Sequence, residues 1–564
     1  MEKFSEYKYE KVDIEKFKAD FKKLINDFND AESFKEQDLI MSKINKKRNE
    51  FETTHEIVGI RNSIDTTDEF YEKENGFMDE ISPVYQGLVI EYYNTVKNSK
   101  YRDELEEKWG KQLFNIIELE LKTFNDDVLE DLKKENKLNT KYRKLRASAK
   151  IIFDGKERNL SQMTPYIESE DRNIRIEAQK AVTKFFENNE NGFDMIYDEL
   201  VHLRDNIAKK LGYENFIKLG YDRLSRSDYD SKMVSNYRKQ VYDEIVPIAN
   251  ELRKNQMKRL KLSSLKYYDE PLNFLSGNAT PKGNPNWILE NGKKMYSELS
   301  NETNEFFKFM TNHGLMDLES KKGKAGGGYC TFISEKKAPF IFSNFNGTSG
   351  DVDVLTHEAG HAFQVYMSRN YEIPEYNWPT LEACEIHSMS MEFLTWPWME
   401  NFFKEDVDKY KYAHLSGALL FIPYGVTVDE FQHFVYEFPN ATPKERKLKW
   451  REIEKKYLPN KDYEDNDFLN NGGYWFRQGH IFTDPFYYID YTLAQVCAFE
   501  FFNKANIDRE SAWNDYLTLC KAGGSMSFTN LVKLANLNNP FEDGTIRKIV
   551  EPISKWIKEN EYKE

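Results

Sequence analysis

A mainly helical chain with one small β-sheet is the fold class that the sequence predicts, and three observations carry it. Apolar residues recur three and four apart amid Glu and Lys from the start to about residue 270. The texture turns to β-formers bounded by turn residues at YCTFI (329–333) and APFIFSNF (338–345). No period of twenty to fifty residues recurs, so a solenoid of helical repeats is not supported. At 564 residues the chain exceeds the usual span of one hydrophobic core, and two or more domains or one multi-lobed body are expected.

The elements follow in order. KVDIEKFKADFKKLINDF, EEKWGKQLFNIIELELKTF and EAQKAVTKFFENNENGFDMIYDELVHLRDNIAKKLGY read as amphipathic helical segments. SGNATPKGNPN (276–286) and KKGKAGGG (321–328) read as exposed loops. The two β-rich stretches then form a small sheet. NGTSGD supplies turn chemistry, with Ser349 or Asp351 as the cap of a helix over VDVLTHEAGHAFQVYMSR. TLEACEIHSMSMEF reads as a second helix.

Composition narrows the function class. Apolar residues at 40% and aromatics at 15% exclude a disordered chain. The net charge of −15, with both signs interspersed, disfavours nucleic acid or an anionic membrane as the main partner. No stretch of eighteen apolar residues occurs, and MEKFSEYKYEK lacks the apolar core of a signal peptide, so a cytoplasmic protein is expected. Cys330, Cys384, Cys497 and Cys520 are too scattered for a disulfide framework and are expected as reduced, buried thiols.

The chemistry concentrates in HEAGH. Histidines four apart on a helix project from one face, so His357 and His361 can aim a ring nitrogen each at one ion. Glu358 lies beside that face, where its carboxylate can reach a metal-activated water without binding the metal, the position of a general base. A third ligand is needed. A metzincin-type extension is excluded by Gln364 and Met367, and a glutamate nineteen or twenty residues on is excluded by Thr380 and Leu381. Glu382 and Glu385 are left as candidates.

HEAGH, the acidic segment after it and a Tyr-rich segment near the end together resemble the zinc metallopeptidases of family M3, which include the thimet oligopeptidases and the oligoendopeptidase F group. The resemblance is best over about 165–550. It implies that Glu385 is the third ligand, because Ser388 and Glu392 complete the family's Glu, Ser, Glu spacing. Glu382, one turn earlier, then either holds a ligand histidine or is a solvated surface glutamate. Many relatives carry a histidine where this chain has Gln364, which is not a ligand position. Cys384 beside the ligand reads as a buried inert thiol.

The resemblance also bears on GGYWFRQGHIFTDPFYYIDYTLAQV (472–496), where Tyr487, Tyr488 and Tyr491 would by periodicity alone be core residues. Aligned on the family's tyrosine pattern, Tyr488 and Tyr491 become oxyanion and substrate contacts together with His480. APFIFSNF resembles the edge strand along which such enzymes pair a substrate backbone, which makes Phe342, Asn344 and Phe345 expected substrate contacts. The glycines at 326–328 and 472–473 read either as hinges of closing loops or as ordinary turns.

The resemblance thus implies a two-lobed helical zincin-type body with a deep substrate channel, an N-terminal helical lobe at 1–165 and a catalytic region at 166–564. It implies one Zn2+ per chain and short unstructured oligopeptides as substrates, cleaved internally. The rivals are a peptidyl-dipeptidase or carboxypeptidase of related fold and a silent peptide-binding protein, against which the retained Glu358 argues.

Overall fold

A computed structural model describes residues 2–563 and is about 71% helical. The N-terminal part is built from α1 (Ile14–Asp30), α2 (Phe34–Ile64), α3 (Glu69–Lys97), α4 (Arg102–Trp109) and α5 (Lys111–Thr123). Short polar side chains start the first three: Asp13 accepts from the Lys16 N–H, Ser33 from Glu36, and Asp68 from Phe70 and Tyr71. The periodic run EEKWGKQLF, one helix by pattern, breaks into α4 and α5 at Gly110, whose φ is 88°. Phe17, Phe21, Ile25 and Phe28 line one face of α1 and join a core that runs from Phe17 to Phe124.

That core closes with Ile373 and Tyr376 from far along the chain. Glu375 accepts from the Arg48 guanidinium at 2.8 Å and from the Tyr93 hydroxyl. The Tyr376 hydroxyl donates to the Trp109 carbonyl at 2.6 Å and accepts from the Leu113 N–H at 2.9 Å. The Arg48–Glu375 pair is buried, so removing either partner would strand a charge.

The larger core takes Phe4, Tyr7, Ile57 and Ile60 from the N-terminal part and then most of the chain from Val128 on, including Leu138 and Tyr142 of α6 (Leu129–Ala147). A hairpin of β1 (Ile151–Phe153) and β2 (Lys156–Arg158) follows, and then a sheet of β3 (Met316–Glu319), β4 (Tyr329–Ile333) and β5 (Ala338–Phe345) in the order β3-β5-β4. β4 runs antiparallel to β5, and β3 runs parallel to it. β4 and β5 fall where the sequence predicts them, whereas the other strands are three or four residues long, too short to show a period.

The sheet order corrects the expected edge strand. β5 is central, because β3 pairs along its second side, and β4 forms an edge. Phe342 and Phe345 are accordingly buried, and the Asn344 amide donates to the Ala325 and Gly327 carbonyls at 2.8 and 2.9 Å. In this structure these three side chains pack the sheet and tie down its loop.

Four further helices frame the site: α7 (Gly350–Ser368), α8 (Leu381–Leu394), α9 (Val407–Glu437) and α10 (Tyr488–Ile507). Neither expected cap of α7 acts as one. Ser349 makes no side-chain cap bond, and Asp351 reaches back to accept from the Asn346 and Gly347 N–H groups at 2.7 and 2.8 Å, closing the preceding turn. α7 and α8 touch at Gly360, where a Cβ would lie 2.6 Å from the Ser388 Cα and 2.7 Å from the His387 carbonyl. The glycines at 472–473 serve close packing and not a hinge: a Cβ on Gly472 would meet the Lys447 carbonyl at 2.0 Å, and one on Gly473 the Phe468 ring at 2.3 Å.

Gly360→Ala is therefore expected to push α7 from α8 and to cost about 1–3 kcal/mol of stability, the usual range for an overpacked interior. Chemical denaturation reads this directly. An unchanged midpoint would mean that the crossing relaxes without cost.

Candidate active site

α7 carries His357 and His361 one turn apart, with ring centroids 5.0 Å from each other. α8 brings Glu385 against them. Its Oε2 lies 3.3 Å from His357 Nε2 and 3.5 Å from His361 Nε2, and one ligand atom from each of the three residues lies within 4.8 Å of the others. The contact at Gly360 makes this approach possible. Two imidazole nitrogens and one carboxylate oxygen suit a divalent ion of borderline softness such as zinc, with a position left for water.

Other side chains fix each donor. The Ser388 hydroxyl donates to Glu385 Oε2 at 3.0 Å and the Tyr487 hydroxyl to Oε1 at 2.6 Å. The Trp396 indole N–H, which can only donate, meets His414 Nδ1 at 3.2 Å, so the His414 proton sits on Nε2 and points at Glu392 Oε2, 2.7 Å away. The other oxygen of Glu392 accepts from His357 Nδ1–H at 2.7 Å. This leaves Nε2 of His357 free of Glu392 and facing Glu385.

The electrostatics point the same way. Burial works against a charge on His357, but Glu385 and Glu392 overcome it and raise its pKa well above the usual value. Burial would raise the Glu385 pKa, yet His361 and His357 hold it far below the carboxylate range. Carboxylates thus gather around these ring nitrogens and favour a cation between them.

Glu358 is 7% exposed, and its Oε2 has no hydrogen-bond partner among the described residues. Its Oε1 lies 3.5 Å from where a Cβ on Gly328 would stand, so the start of β4 passes directly over it. Burial raises its pKa against the opposing pull of His357 and His361. A buried carboxyl with a free oxygen and a raised proton affinity is suited to taking up a proton.

Glu382 departs from both readings of the sequence. It is fully buried, not a surface residue, and no histidine among the described residues hydrogen-bonds to its oxygens, so it holds no ligand in place. Glu392 has that role. Cys384 is buried as expected, whereas Cys330 is half-buried.

The tyrosine-rich segment forms the facing wall. The Tyr424 hydroxyl donates to Gln478 Oε1 at 3.1 Å, the Gln478 amide meets His480 Nδ1 at 2.8 Å, and His480 Nε2 lies 3.3 Å from the Tyr491 hydroxyl. Burial lowers the His480 pKa, while Asp484 and Glu385 oppose this. Tyr488 lies on the adjacent face, edge-on to Phe421 and Tyr424 at 5.7 and 5.8 Å. Tyr487, read from the sequence as a core residue, is the one that reaches Glu385. Its spacing of four from Tyr491 was the available signal, and their rings lie 4.9 Å apart.

The segment is fixed from behind. Phe486 has a φ of 68°, rare for a bulky residue; Arg226 donates to its carbonyl at 2.6 Å and to the Asp490 carboxylate, and the Phe486 N–H donates to Gln432 at 3.3 Å. Beside this wall lies a cavity of about 550 Å³ reached by His480, Tyr488, Tyr491, Glu392 and His414.

Comparison with known proteins follows the same outline. The family model described as Peptidase M3 N-terminal domain matches residues 4–124, and that described as Peptidase family M3 matches 165–551. A comparison with curated proteins finds no match. Among solved structures, one titled PZ peptidase A with inhibitor 2 is 60% identical over 99% of both chains, with a TM-score of 0.97. A candidate oligoendopeptidase F from Bacillus anthracis str. Ames is 54% identical over 99% of this chain and 98% of its own, with a TM-score of 0.92. The oligoendopeptidase-F of Enterococcus faecium, at 13% identity, 97% and 98% coverage and a TM-score of 0.62, shares the fold. The second family model spans every residue of the histidine, glutamate and tyrosine arrangement described above, and on that match the chain belongs to peptidase family M3 and is a metallopeptidase.

Proposed function

We propose that this metallopeptidase is a zinc-dependent oligoendopeptidase, with one Zn2+ held by His357, His361 and Glu385 and with Glu358 as general base. The observation that carries the reading is the convergence of three ligand atoms within 4.8 Å beside an unpartnered, buried Glu358 oxygen. Zinc bound there supplies a Lewis acid that polarises water and the scissile carbonyl. Glu358 takes the proton of the attacking water and passes it to the leaving amine. His480 and Tyr491 donate toward the developing oxyanion, and Tyr487 keeps Glu385 oriented.

The edge strand β4, which begins over Glu358, supports an extended substrate aligned beside the base. A cavity of about 550 Å³ favours short unstructured oligopeptides over folded proteins. Four free cysteines agree with a reducing compartment, and the proposal places the protein in the cytoplasm. Among the described residues no helix is long and apolar enough to cross a membrane.

Glu358→Gln is expected to retain its metal while turnover of an end-blocked peptide falls about a hundredfold or more. Elemental analysis beside a quenched-peptide assay checks both halves. Near-normal turnover in loaded protein would remove Glu358 as the base, and failure to cut end-blocked peptides at all would favour exopeptidase action.

Tyr491→Phe and His480→Ala should each raise the barrier by roughly 2–4 kcal/mol with zinc content intact. Tyr487→Phe should instead weaken zinc retention, with most activity recovered at saturating zinc. If Tyr491→Phe melts early yet turns over normally, its hydroxyl serves packing and the oxyanion donor lies elsewhere.

A further inference from the structure

The cavity beside the tyrosine wall carries more negative charge than peptide hydrolysis uses. Glu168 and Asp353 join Glu392 in its lining, and among the described residues no lysine or arginine does. Glu392 is compensated by His357 and His414. The other two carboxyls meet neutral donors: the Tyr410 hydroxyl lies 2.7 Å from Asp353 Oδ1, and the Asn278 amide lies 3.5 Å from Glu168 Oε2. Burial raises the pKa of both, that of Asp353 to about 6, and Asp353 raises that of Glu168 further. His414 attracts Asp353 but is already bonded to Glu392, and Glu168 has no cationic side chain beside it in the lining, so a cation arriving from outside is favoured.

A second observation points to a ligand in the same place. Gln495 stands one turn beyond Tyr491 on α10, is 5% exposed and lines the cavity, and its amide nitrogen has no hydrogen-bond partner among the described residues. An unpartnered buried donor is costly, and a peptide carbonyl would satisfy it. The cavity shares His480 and Tyr491 with the proposed oxyanion wall, so its occupant belongs to a residue close to the cleaved bond.

We infer that this cavity is a specificity subsite for a cationic group of the peptide, an ammonium or guanidinium, received by Glu168 and Asp353 while Gln495 holds a neighbouring backbone carbonyl. Neutral side chains of equal length leave both carboxyls unmatched, and acidic ones are repelled. The inference rests on the peptidase reading, since it takes the cavity's occupant to be substrate.

Binding tests it independently of turnover. Zinc-loaded Glu358→Gln protein is titrated against fluorescent peptides in which one lysine is moved along a neutral sequence, with norleucine and glutamate controls. Free and acetylated N-termini distinguish a side-chain amine from the terminal one. At one position, or with the free terminus, the cationic peptide should bind about tenfold tighter than its neutral counterpart. Adding Glu168→Gln and Asp353→Asn, singly and together, should bring that ratio toward one, and a circular dichroism spectrum confirms that each variant is folded. A ratio below about twofold at every position and terminus, or one that survives both substitutions, overturns the subsite. Wild-type protein that shows the ratio yet cleaves no peptide overturns the peptidase reading alone.

Discussion

Two helices can bring three metal-ligating atoms to one point only if their backbones come into contact, and Gly360 is where α7 and α8 do so. The space a side chain would occupy there is filled by the Ser388 Cα and the His387 carbonyl. Every distance in the metal cluster depends on this contact, because His357 and His361 flank Gly360 on α7, while Glu385 and Glu392 flank His387 and Ser388 on α8. α8 in turn packs against α10, the helix that carries the tyrosines. The ligands and the facing wall are thereby assembled from one stack of three helices.

Around that stack, charge is arranged in pairs with defined direction. Glu392 bridges two histidines and, through the indole of Trp396, settles which nitrogen of each carries the proton. Tyr487 and Ser388 occupy the two oxygens of Glu385. Glu358 alone among these carboxyls keeps an oxygen with no partner in the described structure. The difference between a ligand and a base is thus written in the neighbours: positioned donors for the first, and none for the second.

Much of this was legible in the sequence because it is local. A histidine pair at a spacing of four, a base beside it and two β-rich stretches all act within a few residues, and periodicity reports them. The rest was hidden because it is made by tertiary contact. His414 lies far from His357 in the chain and no spacing rule connects them, and the Arg226 charge that acts on the buried Glu382 comes from another element. The edge assignment failed because β3 is four residues long, and one short unseen partner moves β5 from the rim to the middle of the sheet. Periodicity marks Tyr487 as core, and only the tertiary approach of α8 turns its hydroxyl onto Glu385.

The anchoring of α2 has a mechanical consequence. Its 31 residues span ~46 Å as one helix, with Met41, Ile44 and Phe51 in the smaller core and Ile57 and Ile60 in the larger. A rod clamped at both ends bends only by straining its own hydrogen bonds, so the two cores are braced against each other. The second tie, from Glu375 and Tyr376 to α2, α3, α4 and α5, triangulates the brace. On the proposed function, an entrance held between two braced cores would select peptides by their cross-section and not by their sequence.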